Sequence, residues 1–313
     1  MIVKMEQANK LKMQSTNSQI TSDLIASRSI DIEDCKSVCL ALGPYRNLTT
    51  LTASTLFLHP DCQVLNHAGK RIYENDEVDF LSNYSKERFN RFVQFAIHIS
   101  GGGKRGNFGG SIIHSHAFDS VHEMKTIFSE TEYELIKNQI RCLFWKESLS
   151  TSNLIREKHI DLKYILSKEE RLRFLMPIRN PLDCAISNLK TGHVNRFRGL
   201  DQRSKVSEVL LAILKEIHWF ASHKKNHPDR FFYYFEHSID REMLLKLASF
   251  LSLDADEDWI SRALRVMVNK SSYQHNPDLL AFYRKCVEQQ FAQFPALAEQ
   301  LLIFANNIDG SNI

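Results

Sequence analysis

Three groups of residues in this 313-residue chain have the types and spacing to do chemistry on an anion. The first is Arg46-Asn47-Leu48-Thr49-Thr50, which follows the apolar run Val38 to Leu42 and the turn Gly43-Pro44. Leu51, Thr55 and Leu58 then recur at helical spacing until His59-Pro60, so the stretch reads as strand, tight loop, helix. The first-turn N–H groups of such a helix lack internal partners, and together with the helix dipole they favour an anion in the loop. Arg46 adds a fixed charge, and the Thr49 and Thr50 hydroxyls add donors. The second group runs from Arg179 to Ser187, RNPLDCAIS. Asn180 suits a helix cap, Pro181 the first helical position and Asp183 the dipole, which leaves Arg179 at a strand end. A guanidinium there and a serine one helix face along provide forked and single donors to a phosphate. The third group is His67, His114 and His116, imidazoles whose ordinary pKa suits proton transfer near neutrality.

These residues need a sheet to bring them to one edge. Cys62 to Leu65 reads as a second strand, which delivers His67 to the same edge as the anion loop if the strands are parallel. Ser111 to Phe118 reads as a third, whose alternation puts His114 and His116 on one side. Arg171 to Ile178 and Phe231 to Phe235 are the fourth and fifth. Amphipathic helices are expected over 85–99, 205–222, 241–251 and 259–268, with more helix over 277–307. Residues 119–168 also read as helical, with Ile136, Ile140, Leu143 and Phe144 on one face. The glycine-rich stretch Gly101 to Gly110 reads as a flexible loop that offers Lys104 and Arg105 to an anionic ligand. The expectation is an α/β fold of three layers, a central parallel sheet of about five strands flanked by helices. Residues 1–33, largely polar with scattered Met and Ile, read as a flexible arm with room for one short helix, and 34–313 as a single domain.

Composition narrows the function. A net charge of +3 is too small for a nucleic-acid binder, and no run of about 18 apolar residues exists to span a membrane. Six scattered cysteines without a C-x-x-C pair define no zinc site and no disulfide framework, so no metal is expected and a reducing cytoplasm is the expected compartment. No signal-peptide core opens the chain. The nucleotide-triphosphate loop G-x-x-x-x-G-K-[ST] is absent, which argues against a kinase of a small molecule.

The first loop instead resembles the 5′-phosphosulfate loop of sulfotransferases that use 3′-phosphoadenosine-5′-phosphosulfate. Their pattern is a basic residue, Ser, Gly, Thr, Thr; Arg46, Thr49 and Thr50 match, and Asn47 and Leu48 replace the Ser and Gly. Arg179 to Ser187 keeps the family's 3′-phosphate pattern R-[ND]-P-x-D-x-x-x-S intact. The resemblance implies a P-loop-like fold and transfer of a sulfonate group to a hydroxyl or amine of a small molecule. It also implies that Arg46 and the amides of Asn47, Leu48, Thr49, Thr50 and Leu51 stabilise the leaving phosphate. His116 falls where the family carries its general base, with His114 in place of a lysine, and His67 is the alternative base and a substrate contact. Phe235 would flank the adenine, and Lys270 and Ser271 would close a loop around the nucleotide. The layout is similar to natural-product tailoring members, for instance those acting on saxitoxin-type alkaloids. A degenerate nucleotide-binding module without transfer activity is the alternative that Asn47 and Leu48 raise.

Overall fold

The computed structural model describes residues 20–103, 109–119, 123–130, 134–267 and 273–309. Lys104, Arg105, Lys270 and Ser271 lie outside the described residues.

Six strands form one sheet: β1 (Ser37–Ala41), β2 (Cys62–Asn66), β3 (Gly110–Ser111), β4 (Cys142–Lys146), β5 (Leu172–Ile178) and β6 (Phe231–Phe235). Their order is β3-β2-β4-β1-β5-β6, with every pairing parallel except that of β3 with β2. Five strands run parallel, the expected number, but only β1, β2, β5 and β6 are among those expected; β4 is the fifth, and the expected third strand is the short antiparallel edge.

Alternation sorts the strand residues onto two faces. Val38, Leu40, Leu143, Trp145, Phe174, Met176 and Phe231 join one core. It is completed by α4 (Lys86–Ser100), α8 (Pro181–Lys190), α9 (Val206–Asn226), α12 (Pro277–Gln290) and α13 (Pro295–Asp309). Cys39, Ala41, Val64, Phe144, Leu175 and Tyr234 join the other, with α2 (Thr49–Phe57), α10 (Arg241–Phe250) and α11 (Glu257–Val266). Three layers result, as the alternation and helical periods predict. The expected cap of α8 is present: Asn180 Oδ1 accepts from Leu182 N, with Pro181 in the first turn.

Two assignments are corrected. Cys142–Lys146 is a central strand, not part of a helix. It lies between β1 and β2 and is buried along its whole length, so both faces are apolar and no alternation marks it. The helical spacing of Ile136, Ile140, Leu143 and Phe144 is a coincidence of that apolar run with its approach. The third strand, conversely, is only Gly110–Ser111. Beyond it Ser111 Oγ accepts from Ile113 N, and the chain coils into 3₁₀ turns at Ile112–His114 and His116–Phe118.

A helix, α1, is described over residues 20–27; Leu24 enters the core and Asp23 pairs with the buried Arg71.

The loop after β1 begins at Gly43, whose φ of +95° is natural only to glycine. A Cβ added there would stand 2.6 Å from Met176 Cε. Gly43→Ala should therefore lower the unfolding free energy by roughly 1–3 kcal/mol. Chemical denaturation with an unchanged midpoint would count against this account of the loop.

Candidate active site

The carboxyl ends of β1, β2, β4 and β5 carry the polar groups that the core excludes. Asn47, 1% exposed, is the hinge of the arrangement. Its Nδ2 donates to Pro177 O and its Oδ1 accepts from Arg179 N at 2.9 Å, so one side chain ties the β1 loop to the end of β5. Asn47 is thus a clamp between the β1 loop and the segment that begins at Arg179. Leu48, in the glycine position, adopts φ 61° as the N-cap of α2. The loop keeps a left-handed turn there despite the β-carbon.

The same clamp brings the two motifs into contact. Arg46 Nε donates to Ser187 Oγ at 3.0 Å, across 141 residues of sequence. Ser187 is buried on α8, and Thr49 is buried in the first turn of α2, with Thr50 and Leu51 half-buried beside it. Arg179 is 4% exposed, with Asp183 at 3.6 Å and Glu236 at 3.9 Å. Glu236 also accepts from Asn180 N at 3.0 Å, and Asp183 holds His275 Nε2 at 2.8 Å. A guanidinium in this setting is fixed in place by carboxylates. Phe235 is buried, and His237 stacks on its ring at 5.3 Å and 8°. One face of the expected adenine platform is therefore covered within the protein.

On the other side of β1 stands a group that the sequence reading missed. β4 ends in Lys146 and Glu147, both buried, and β2 delivers His67 beside them. Lys146 Nζ lies 3.1 Å from His67 Nε2, and His67 Nδ1 lies 3.9 Å from Glu147 Oε2. Glu147 also accepts from Gly69 N at 3.1 Å. Burial, and then the Lys146 charge, pushes His67 down to about 3, so the ring is neutral and takes a hydrogen bond from Lys146. Burial likewise lowers Lys146 to about 8 and raises Glu147 to about 7, each opposed by the other's charge. The missed signal was the Lys-Glu pair closing an apolar run, a pattern that marks a strand end once β4 is seen as a strand.

His114 and His116 sit in the 3₁₀ turns rather than on a strand, and His116 is exposed. β1 lies between β4 and β5, not beside the segment that carries His116, and the strand end on its β2 side carries Lys146 and Glu147. His116 is near enough to His67 to help depress its basicity, which sets it at the rim of the same cluster.

Backbone strain gathers here too. Among the described non-glycine residues with positive φ are Arg46, Leu48, His67, Ala68 and Ser148, all just beyond β1, β2 and β4. Such conformations cost of order 1 kcal/mol or more each and persist where the surroundings over-determine them.

No family model matches the chain, and no curated protein matches it. Solved structures that resemble it in overall trace include two sulfotransferases. Mouse sulfotransferase SULT7A1 complexed with PAP overlaps 91% of this chain and 94% of its own, at 11% identity and a TM-score of 0.43. A sulfotransferase from Alicyclobacillus acidocaldarius overlaps 85% of this chain and 96% of its own, at 14% identity and a TM-score of 0.41.

The raised Glu147 pKa fixes a pH signature. Between 4.5 and about 7 the folded carboxyl keeps a proton that the unfolded one has lost, so the folded state loses stability as pH rises through that window. Glu147→Gln removes this slope. Relative to wild type the variant should gain stability from pH 4.5 to 7, by up to roughly 3 kcal/mol. Parallel urea titrations give the difference, and a constant offset across that range would refute the burial argument.

Proposed function

We propose that the chain is a sulfotransferase that moves the sulfonate group of 3′-phosphoadenosine-5′-phosphosulfate onto a hydroxyl or amine of a small molecule, of the natural-product kind. The observation that carries this reading is the Arg46–Ser187 contact with the Asn47 clamp beneath it. Two motifs with the residue types for two phosphates, far apart in sequence, meet at the carboxyl ends of adjacent parallel strands. That edge is where open α/β sheets bind ligands. The donors at hand are guanidinium, ammonium, hydroxyl and helix N-terminal amides, which suit phosphate and sulfonate oxygens.

Strand order supplies the layout. Arg179 and Ser187 hold the 3′-phosphate on the β5 side, and Arg46 with the first turn of α2 receives the 5′ end over β1. The acceptor then stands over β4 and β2. When bound, the donor supplies the sulfonate and a phosphate leaving group. A new bond joins the acceptor oxygen or nitrogen to sulfur, the bond from sulfur to the phosphate oxygen breaks, and adenosine 3′,5′-bisphosphate departs. The leaving oxygen gains charge, and Arg46 and Lys146 are the cations that answer it. Lys146 does so by giving up His67 Nε2. Its departure bares that lone pair and removes the charge that suppresses the imidazole, so His67 takes the acceptor proton while Glu147 steadies the ring. His67, 37% exposed at its side chain, is the accessible member of the trio.

Calorimetry with adenosine 3′,5′-bisphosphate tests the nucleotide site. Arg179→Ala should weaken binding by roughly 2–4 kcal/mol, because a phosphate loses its charge-assisted partner and meets Asp183 and Glu236 instead. Unchanged affinity would remove the 3′-phosphate assignment. Turnover with labelled donor tests the chemistry. Lys146→Ala and His67→Ala should each reduce kcat by about 100-fold or more, whereas His116→Ala should keep most activity. The reverse pattern would return the base to His116. Nucleotide binding without transfer to any acceptor would leave a binding module.

A further inference from the structure

The two carboxylates beside Arg179 are held back from it. Asp183 Oδ2 stands 3.6 Å from the guanidinium and Glu236 Oε1 3.9 Å, beyond the roughly 2.7–2.9 Å of a charge-assisted hydrogen bond. Each acid has its other oxygen engaged elsewhere. Glu236 Oε2 accepts from Asn180 N at 3.0 Å, and Asp183 Oδ1 accepts from His275 Nε2 at 2.8 Å and Tyr273 N at 3.3 Å. His275 is the shorter tether on Asp183. Its side chain is 0% exposed, and its Nδ1 is buried with no hydrogen-bond partner among the described residues. Asp183 is therefore the group that orients the ring, and Nε2 carries the proton between them. The imidazole comes from 92 residues further along the chain. Its segment, residues 273–276, lies against α8, with Lys190 Nζ 4.4 Å from the centre of the Tyr273 ring. Asn276 Oδ1 then accepts from Leu279 N and caps α12. One buried imidazole–carboxylate pair thus fastens the approach to α12 onto the first turn of α8.

Without His275, Asp183 Oδ1 would keep only the longer bond from Tyr273 N. A buried carboxylate short of donors turns toward a cation, and Arg179 lies one helical turn back at 3.6 Å. A carboxylate and a guanidinium close into a forked pair, and the fork is the face that a phosphate also needs. We infer that His275 is a positioning residue for the 3′-phosphate. By holding Asp183 Oδ1, it keeps that carboxylate from closing on Arg179 and competing with phosphate for the same guanidinium. This rests on the sulfotransferase reading for the identity of the phosphate, while the restraint on Asp183 stands on the geometry alone. The Glu236 oxygen is tied by a backbone N–H of the same motif, so the Asp183 side is the one governed by a side chain of the C-terminal segment.

Calorimetry on the full chain compares adenosine 3′,5′-bisphosphate with adenosine 5′-monophosphate, which lacks the 3′-phosphate. His275→Leu fills the space and removes the donor, whereas His275→Gln keeps an N–H near the place of Nε2. His275→Asn, too short to reach Asp183, takes the place of His275→Leu if that chain does not fold. The preference for the bisphosphate, read as the ratio of the two Kd values, should fall about tenfold in His275→Leu. It should stay within about threefold of wild type in His275→Gln, and recover in His275→Leu/Asp183→Asn, where the released side chain has no charge to turn on Arg179. A residue that merely packed α12 would weaken both nucleotides together, and Asp183→Asn would restore nothing. An unchanged preference in His275→Leu, or a loss that Asp183→Asn does not restore, overturns the inference. Urea titration of the ligand-free chain supplies a second arm. Arg179→Ala should lower the midpoint further in the His275→Leu background than in wild type, because there it breaks the closed pair; equal losses count against the inference. Failure of the wild-type chain to bind either nucleotide would refute the proposed function instead, and the urea comparison would still decide whether His275 holds Asp183 off Arg179.

Discussion

The site depends on one buried amide. Asn47 donates to Pro177 O and accepts from Arg179 N, so the loop after β1 cannot move without the end of β5. Pro177 contributes a carbonyl to this clamp. The backbone ladder from β1 to β5 runs as far as Leu42 N donating to Leu175 O, and Pro177, without an N–H, cannot continue it. Asn47 thereby braces the β1 loop against the end of β5.

The second constraint is the handling of buried charge. Lys146 and Glu147 are neighbours in sequence at the end of a central strand, where desolvation pushes each toward neutrality. His67 stands between them as a neutral ring and lets the ammonium keep a hydrogen bond. On the β5 side the Arg179 guanidinium stands between two carboxylates, Asp183 and Glu236. One side of β1 thus holds groups whose protonation is easily changed, and the other holds a fixed cation.

Strain follows the same geography. Arg46, Leu48, His67, Ala68 and Ser148 hold positive φ at the carboxyl ends of three neighbouring strands. Ser148, directly after Glu147, also buries a hydroxyl with no partner among the described residues. The sheet beneath is fully buried and paired, so it can hold these loops in costly shapes. Rigid strands with strained ends keep side chains from three separate segments aimed at one space.

What could be read from the chain alone was local. Strand, loop and helix around Arg46, and the capped start of α8 with its Arg179-to-Ser187 spacing, rest on propensity, capping and periodicity within about a dozen residues. These interactions are between near neighbours, so sequence order reports them directly. The order of the strands is not of that kind. β4 inserts between β1 and β2, and because both its faces are covered it shows neither alternation nor a helical stripe. Only the tertiary structure put Lys146 and Glu147 beside His67 and set His116 on a turn. Each of those placements depends on contacts across many tens of residues, and on which strands pair, which no local pattern encodes.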